Sequence, residues 1–205
     1  MGEIKLTKNE LRGQQIRLNQ LNRYLPTLQL KKALLQAEVF EARLEIAACE
    51  KAYAHSHEEV ELFSQLLTAE EGIDFAQAIK VEQVVKRREN IAGVDVPYFE
   101  RIDFAPFNYG LFETAAWVDA SILSLKKLVE AKARITVAEE KKKALEDELR
   151  QVSIRVNLFE KILIPRAKRN IKRIKVFLGD QQLAAVSQAK VAKTKIEERS
   201  RVILR

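Results

Sequence analysis

A seven-residue recurrence of leucine governs the first third of this chain. Leu11, Leu18 and Leu25 keep that interval, and Leu21, Leu28 and Leu35 repeat it three residues further on. Val39, Ile46, Tyr53 and Val60 extend the first register, while Ala42, Cys49 and Phe63 extend the second. Residues three and four apart share one face of a helix. A mean spacing of about 3.5 winds two such faces around each other with a left hand. Gln14, Lys32 and Ser56 are polar intrusions in this seam. Pro26 falls inside the repeat without shifting its phase, so the spacing predicts one kinked helix rather than two.

A second helical pattern runs from about residue 120 to the end. Ile122, Leu125, Leu128 and Ile135 open it, and Leu145, Leu149, Val152, Val156 and Phe159 carry its stripe. The spacing then becomes four, three times over, through Leu163, Ala167 and Ile171, before Ile174 and Leu178. Such a stutter relaxes left-handed supercoiling. Pro165 sits inside it, where the winding already changes, and the helix is expected to bend there and continue.

The stretch between differs in kind. Seven of the chain's 14 aromatic residues lie between Tyr98 and Trp117, and it holds Gly72, Gly93 and Gly110. Alternation on both sides of "NIAG" predicts a β-hairpin, residues 79–88 against 94–103, with Pro97 on an edge strand. Trp117 and its neighbours are expected to pack this cap against the helical stems.

The expected fold is therefore mainly α. It is a long antiparallel intramolecular coiled coil with a small cap containing a β-hairpin and short helices. The divisions are residues 1–63, 64–119 and 120–205, forming one elongated domain with both termini at one end. An isolated amphipathic helix of this length cannot hide its stripe, and folding back on a second one is the economical solution.

Little in the sequence suggests catalysis. No glycine-rich phosphate loop or nucleophile elbow is present. His55 and His57 are two apart and point away from each other on a helix, so His57 and Glu61 make half a zinc site at most. Cys49 occupies a seam position, as an inert thiol would, and a lone cysteine makes a reducing cytoplasm the expected compartment. Glu139, Glu140, Lys141 and Lys143 alternate in sign as solvated helix surfaces do. The charged opening "MGEIKLTKNE" predicts no secretory leader, and no apolar run is long enough to span a bilayer.

Charge is more telling. The chain carries a net +7, yet residues 161–205 alone hold 13 Lys and Arg against 3 Asp and Glu. An acidic partner is implied for that end. Nucleic acid is one possibility, although only Phe177 offers a stacking ring there and no basic region precedes a zipper. A scaffold or a homodimeric tether are others.

The string "RVNLFEKILIPRAKRNIKRI" resembles the D-subunit family of the rotary V-type and A-type ATPases. The signature is Arg155, Val156, Asn157, Glu160, Ile164 and Pro165. "LTKNEL" at 6–11, "LQLKKALL" at 28–35 and "NIAGVDVP" at 90–97 match further elements in order, while "QAEVFEARLE" and "FLGDQQ" depart from the family's pattern. The resemblance implies a non-catalytic central-stalk rotor shaft without cofactor or metal, coupling ATP hydrolysis or synthesis to an ion-translocating ring. It implies a cytoplasmic place, peripheral to the membrane, and contacts with the A, B, F and C/d subunits. Arg166, Arg169, Lys172 and Arg173 are the candidates for meeting the inner wall of the A/B ring.

Overall fold

The computed structural model describes residues 4–62, 64, 74–110, 115 and 117–203, with side chains through Glu197. Phe63, Gly72 and the side chains of Arg199, Arg201 and Arg205 lie outside the described residues. The elements are α1 (Lys8–Glu61), α2 (Phe75–Ala78), β1 (Val81–Ile91), β2 (Val94–Phe104), α3 (Trp117–Asn157), a π-helical segment (Leu158–Leu163) and α4 (Ile164–Ile203). A long N-terminal helix packs against a long C-terminal one, and the β-structure is a two-stranded antiparallel hairpin. The chain divides into two compact units: Met1–Leu30 with Ser153–Arg205, and Lys31–Val152.

Thr7 starts α1. Its hydroxyl accepts from the Glu10 backbone N–H at 3.2 Å and its carbonyl takes the Leu11 N–H at 3.0 Å, the geometry of a helix N-cap. The helix runs unbroken for 54 residues with Pro26 inside it. Proline removes one N–H from the ladder, but Pro26 and Asn22, whose carbonyl loses that partner, are both exposed. Water can take the carbonyl, and the helix continues.

In the first unit, Leu21, Val156, Ile164, Ala167 and Ile174 are buried. Leu11, Leu18, Leu25, Leu28, Phe159, Leu163, Ile171 and Leu178 are half-buried. Gln14 is accommodated by hydrogen bonding: its amide nitrogen donates to Glu10 at 2.8 Å, and its oxygen accepts from Asn170 Nδ2 at 3.4 Å.

The stutter takes a definite form. Three steps of four residues advance the helix by about 1,200°, some 120° beyond three full turns at 3.6 residues per turn. Without adjustment the stripe would leave its face. The π-helical segment absorbs the excess by widening the winding, and the Ile164 N–H reaches back to the Phe159 carbonyl. Pro165, which can give no N–H, follows directly in the first turn of α4, where its loss is tolerated.

In the second unit, Leu35, Val39, Ala42 and Ile46 of α1 and Ile135, Val137, Ala138, Leu145 and Val152 of α3 are buried. Three ion pairs fix the direction of this pairing: Lys31–Glu148 at 2.7 Å, Arg43–Glu146 at 2.8 Å and Glu45–Lys141 at 2.8 Å. Numbers rise on α1 as they fall on α3, so the helices are antiparallel.

The hairpin is longer than the alternation predicts, with β1 starting at Val81 and running to Ile91. Two-residue closure explains the difference: Ile91 pairs with Val94, leaving only Ala92 and Gly93 in the turn. Both have positive φ, +51° and +82°, as a type I′ turn requires. Asn90 braces the turn, accepting from the Gly93 N–H at 3.0 Å and donating to Asp95 at 2.7 Å. Register shifts between Val81 and Gln83 and between Val85 and Lys86 mark bulges that leave Glu82 and Glu100 unpaired. Beside the hairpin, Phe75 stacks on Trp117 at 6.1 Å, next to buried Ala78, Val118 and Ile122.

Candidate partner-binding surfaces

Among the described residues no group of three or more His, Cys, Asp or Glu is placed to hold a metal ion. His55 and His57 each face their own i+4 carboxylate, Glu59 at 3.4 Å and Glu61 at 3.9 Å, on an exposed helix surface. Cys49 is half-buried; burial first, and then the Glu45 carboxylate, raise its thiol pKa against the opposing pull of Arg134. A thiol so placed stays protonated and unreactive at neutral pH.

Lys141 corrects the sequence reading. It was expected on a solvated surface, yet its side chain is only 8% exposed. The ammonium lies 2.8 Å from Glu45 and 4.0 Å from the centre of the Tyr98 ring. Burial, the largest single influence, lowers its pKa, but the contacts with Glu45 and Tyr98 outweigh it and the net shift is upward. Periodicity could not find this residue, because the ring that covers it comes from β2.

Lys141 is one of several cations that hold the hairpin on α3. Lys126 stands over Phe104 at 5.3 Å, Arg134 over Phe99 at 5.1 Å, and Lys86 pairs with Glu140 at 2.6 Å. The ring contacts are worth about 0.5–2 kcal/mol each, the larger values belonging to desolvated ones. Sequence reading missed this clasp; its one signal was the concentration of aromatic residues along β2.

The basic face of α4 belongs to the first unit. Arg166, Arg169, Lys172 and Arg173 are all exposed. Arg166, Arg169 and Arg173, spaced by three and four, share a face turned away from buried Ala167 and Ile174. Among the described residues none of the four has an acidic partner within ion-pair distance. Arg166 also borders a small cleft of about 130 Å³ with Ile4, Gln14, Arg17 and Asn170. Beyond Gly179 every described side chain of α4 is exposed, including Leu183, Val186, Val191 and Ile196.

A long helical pair, a clasped hairpin and an exposed basic helix end are what this chain presents to a partner. The family model for the D subunit of ATP synthase matches residues 10–194. This chain belongs to the ATP synthase D-subunit family. Its relatives include the V-type ATP synthase D subunits of three species of Chlamydia. That of Chlamydia abortus is 45% identical over 96% of this chain and 95% of its own length. That of Chlamydia caviae is 44% identical over the same shares. The Chlamydia muridarum protein is 45% identical over 96% of this chain and 97% of its own. Within the D-subunit family, the Arg155–Pro165 signature now has a structural meaning, since it spans the π-helical segment. The element "LTKNEL" is the capped start of α1. Among the described residues no helix is long and apolar enough to cross a membrane.

Proposed function

We propose that this chain is the non-catalytic central-stalk shaft of a V-type ATP synthase. In this reading it couples ATP hydrolysis or synthesis in the ring of A and B subunits to rotation of the membrane's ion-translocating ring. It works at the cytoplasmic face and carries the F and C/d subunits, while nucleotide binds to the ring. The observation that carries the reading is the far part of α4. A helix with Leu183, Val186, Val191 and Ile196 exposed, and with an unpaired basic face below them, is built to be received by something else.

A shaft can bias the surrounding sites only through contact energies that differ from one orientation to the next. Arg166, Arg169 and Arg173 give α4 one basic side, which meets each wall of the ring in turn. The seam residues Leu11, Leu18, Leu21, Leu25, Leu28 and Leu35, with Val152, Val156, Phe159, Leu163, Ile171, Ile174 and Leu178, supply stiffness in this proposal. Pro26 and the π-helical segment before Pro165 supply local departures from straight winding.

The test is co-expression with A and B subunits. Replacing Arg166, Arg169, Lys172 and Arg173 with Gln is expected to weaken retention on the ring and to lower coupled ATP hydrolysis. Ring assembly and coupled hydrolysis that match the unmodified protein would overturn the assignment of those four residues. Failure of the unmodified chain to join the ring would overturn the function. Tight, salt-sensitive DNA binding instead would favour a nucleic-acid role.

A further inference from the structure

The hairpin does not lie flush on α3. Between them, within the second unit, runs a cleft of about 320 Å³, walled by Val81, Val84 and Ile102 of the strands and by Val129, Ala133 and Val137 of the helix. Its shape follows from the sequence. Val129, Ala133 and Val137 are four apart and share one face of α3, with the smallest side chain in the middle. Opposite them Val84 pairs with Ile102, and register shifts on both sides of Val84 bend β1 at that point. Three polar residues complete the lining, and two of them are already engaged. Lys86 is paired with Glu140 at 2.6 Å, and the Thr136 hydroxyl donates its one proton to the Lys132 carbonyl at 3.1 Å. The exposed Lys132 ammonium stands 5.6 Å from the centre of the Tyr53 ring and has no acidic partner within ion-pair distance among the described residues.

We propose that this cleft binds a free single-chain alkyl carboxylate, with the chain between the hairpin and α3 and the carboxylate met by Lys132. Water gains little among valines and an alanine, because an enclosed water needs two to four polar partners, whereas an apolar chain gains by its burial. The volume is at the small end of the range for ligand pockets, about 300–1,000 Å³, so the cleft takes one chain rather than the two of a membrane lipid. Lys132 is the lining side chain with donors left to give, and its charge selects an anionic head over an alcohol. An amine would add a third ammonium beside Lys86 and Lys132, and that repulsion excludes it.

Equilibrium dialysis of the full chain against the sodium salts of hexanoate, octanoate, decanoate and dodecanoate, kept below micelle-forming concentrations, tests the proposal. One molecule per chain is expected to bind, with an affinity that rises about fourfold for each added methylene until the cleft is full and then levels. Decylamine and decanol should bind about tenfold more weakly than decanoate, or weaker still. Lys132→Gln should weaken decanoate about tenfold and leave decanol unchanged, which separates loss of the head contact from collapse of the cleft. Ala133→Leu fills the middle of the cleft and should abolish binding of both. Lys132 is exposed, so unchanged thermal unfolding of Lys132→Gln serves as the folding control and keeps the test sound should Ala133→Leu fail to fold. Equal affinity for the three head groups, no dependence on chain length, several molecules bound per chain, or decanoate binding that survives both substitutions would each overturn the proposal. No binding at millimolar decanoate would do the same. So would cosedimentation with anionic phospholipid vesicles in place of binding to free decanoate, since the ligand would then be a membrane surface.

Discussion

Replacing Glu45 by Gln and, separately, Lys141 by Met should destabilise the second unit unequally, because the two partners are buried to different depths. The Lys141 side chain is 8% exposed and that of Glu45 is 43% exposed. Glu45→Gln leaves an ammonium enclosed under the Tyr98 ring with its strongest acceptor gone. A fully buried charge stripped of its partner costs about 3–5 kcal/mol; partial access to water around Glu45 brings the expected cost to roughly 1–2 kcal/mol. Lys141→Met keeps most of the packing against Tyr98 and leaves Glu45 free to turn to solvent, so its cost should stay below about 1 kcal/mol. Urea denaturation at neutral pH measures both. The pH dependence sharpens the test. The folded-state pKa of Lys141 is raised, so the unfolded chain releases its proton first. The stabilisation is fully present below the ordinary lysine value of 10.5 and is lost as pH rises through the folded one. In Glu45→Gln, burial still lowers the pKa and only Tyr98 opposes it, so the loss of stability at high pH should be smaller than in the unmodified protein. Equal losses in the two variants, or a pH slope in Glu45→Gln as steep as that of the unmodified protein, would refute the reasoning.

Three other substitutions follow from local geometry. Ala92 holds a left-handed backbone at φ +51°, where Asn is better tolerated. Ala92→Asn should therefore protect the hairpin amides against hydrogen exchange by about 0.5–1 kcal/mol. Gly93→Ala, at φ +82°, should expose them by about 1 kcal/mol, although its Cβ would meet only Lys31 Nζ at 3.7 Å. Thr7→Ala removes the cap of α1, and the amides of residues 8–11 should exchange faster by the equivalent of about 1 kcal/mol while the rest of the helix is unaffected.

The helical pair was legible because burying one stripe on a helix leaves a period in the sequence that no other element shares. The fault at Phe159, Leu163, Ala167 and Ile171 was legible too, but not its form. Spacing says that the winding must change, and the same spacing suits a bend or a widened turn. The centre of the hairpin showed in "NIAG", whereas its ends did not. Ile79 closes α2, and the Lys80 carbonyl accepts the Ala105 N–H at 2.9 Å, so pairing begins later than alternation suggests. Lys141 was hidden for a different reason: within "EEKKKALEDE" nothing local separates a lysine beneath a tyrosine from its solvated neighbours.

Gln14 and Asn170 give the first unit a safeguard against slippage. If the two helices slid by one heptad, Gln14 would face Leu163 or Phe177 in place of Asn170, and its amide oxygen would lose its donor without gaining another. An unmet polar group costs about 1–3 kcal/mol when enclosed, and somewhat less at a half-buried position. Leucine at both places would have packed more tightly but would have left neighbouring alignments nearly equal in energy. In a helical pair whose apolar stripe repeats, hydrogen bonds that fit only one alignment hold the register that the stripe alone leaves open.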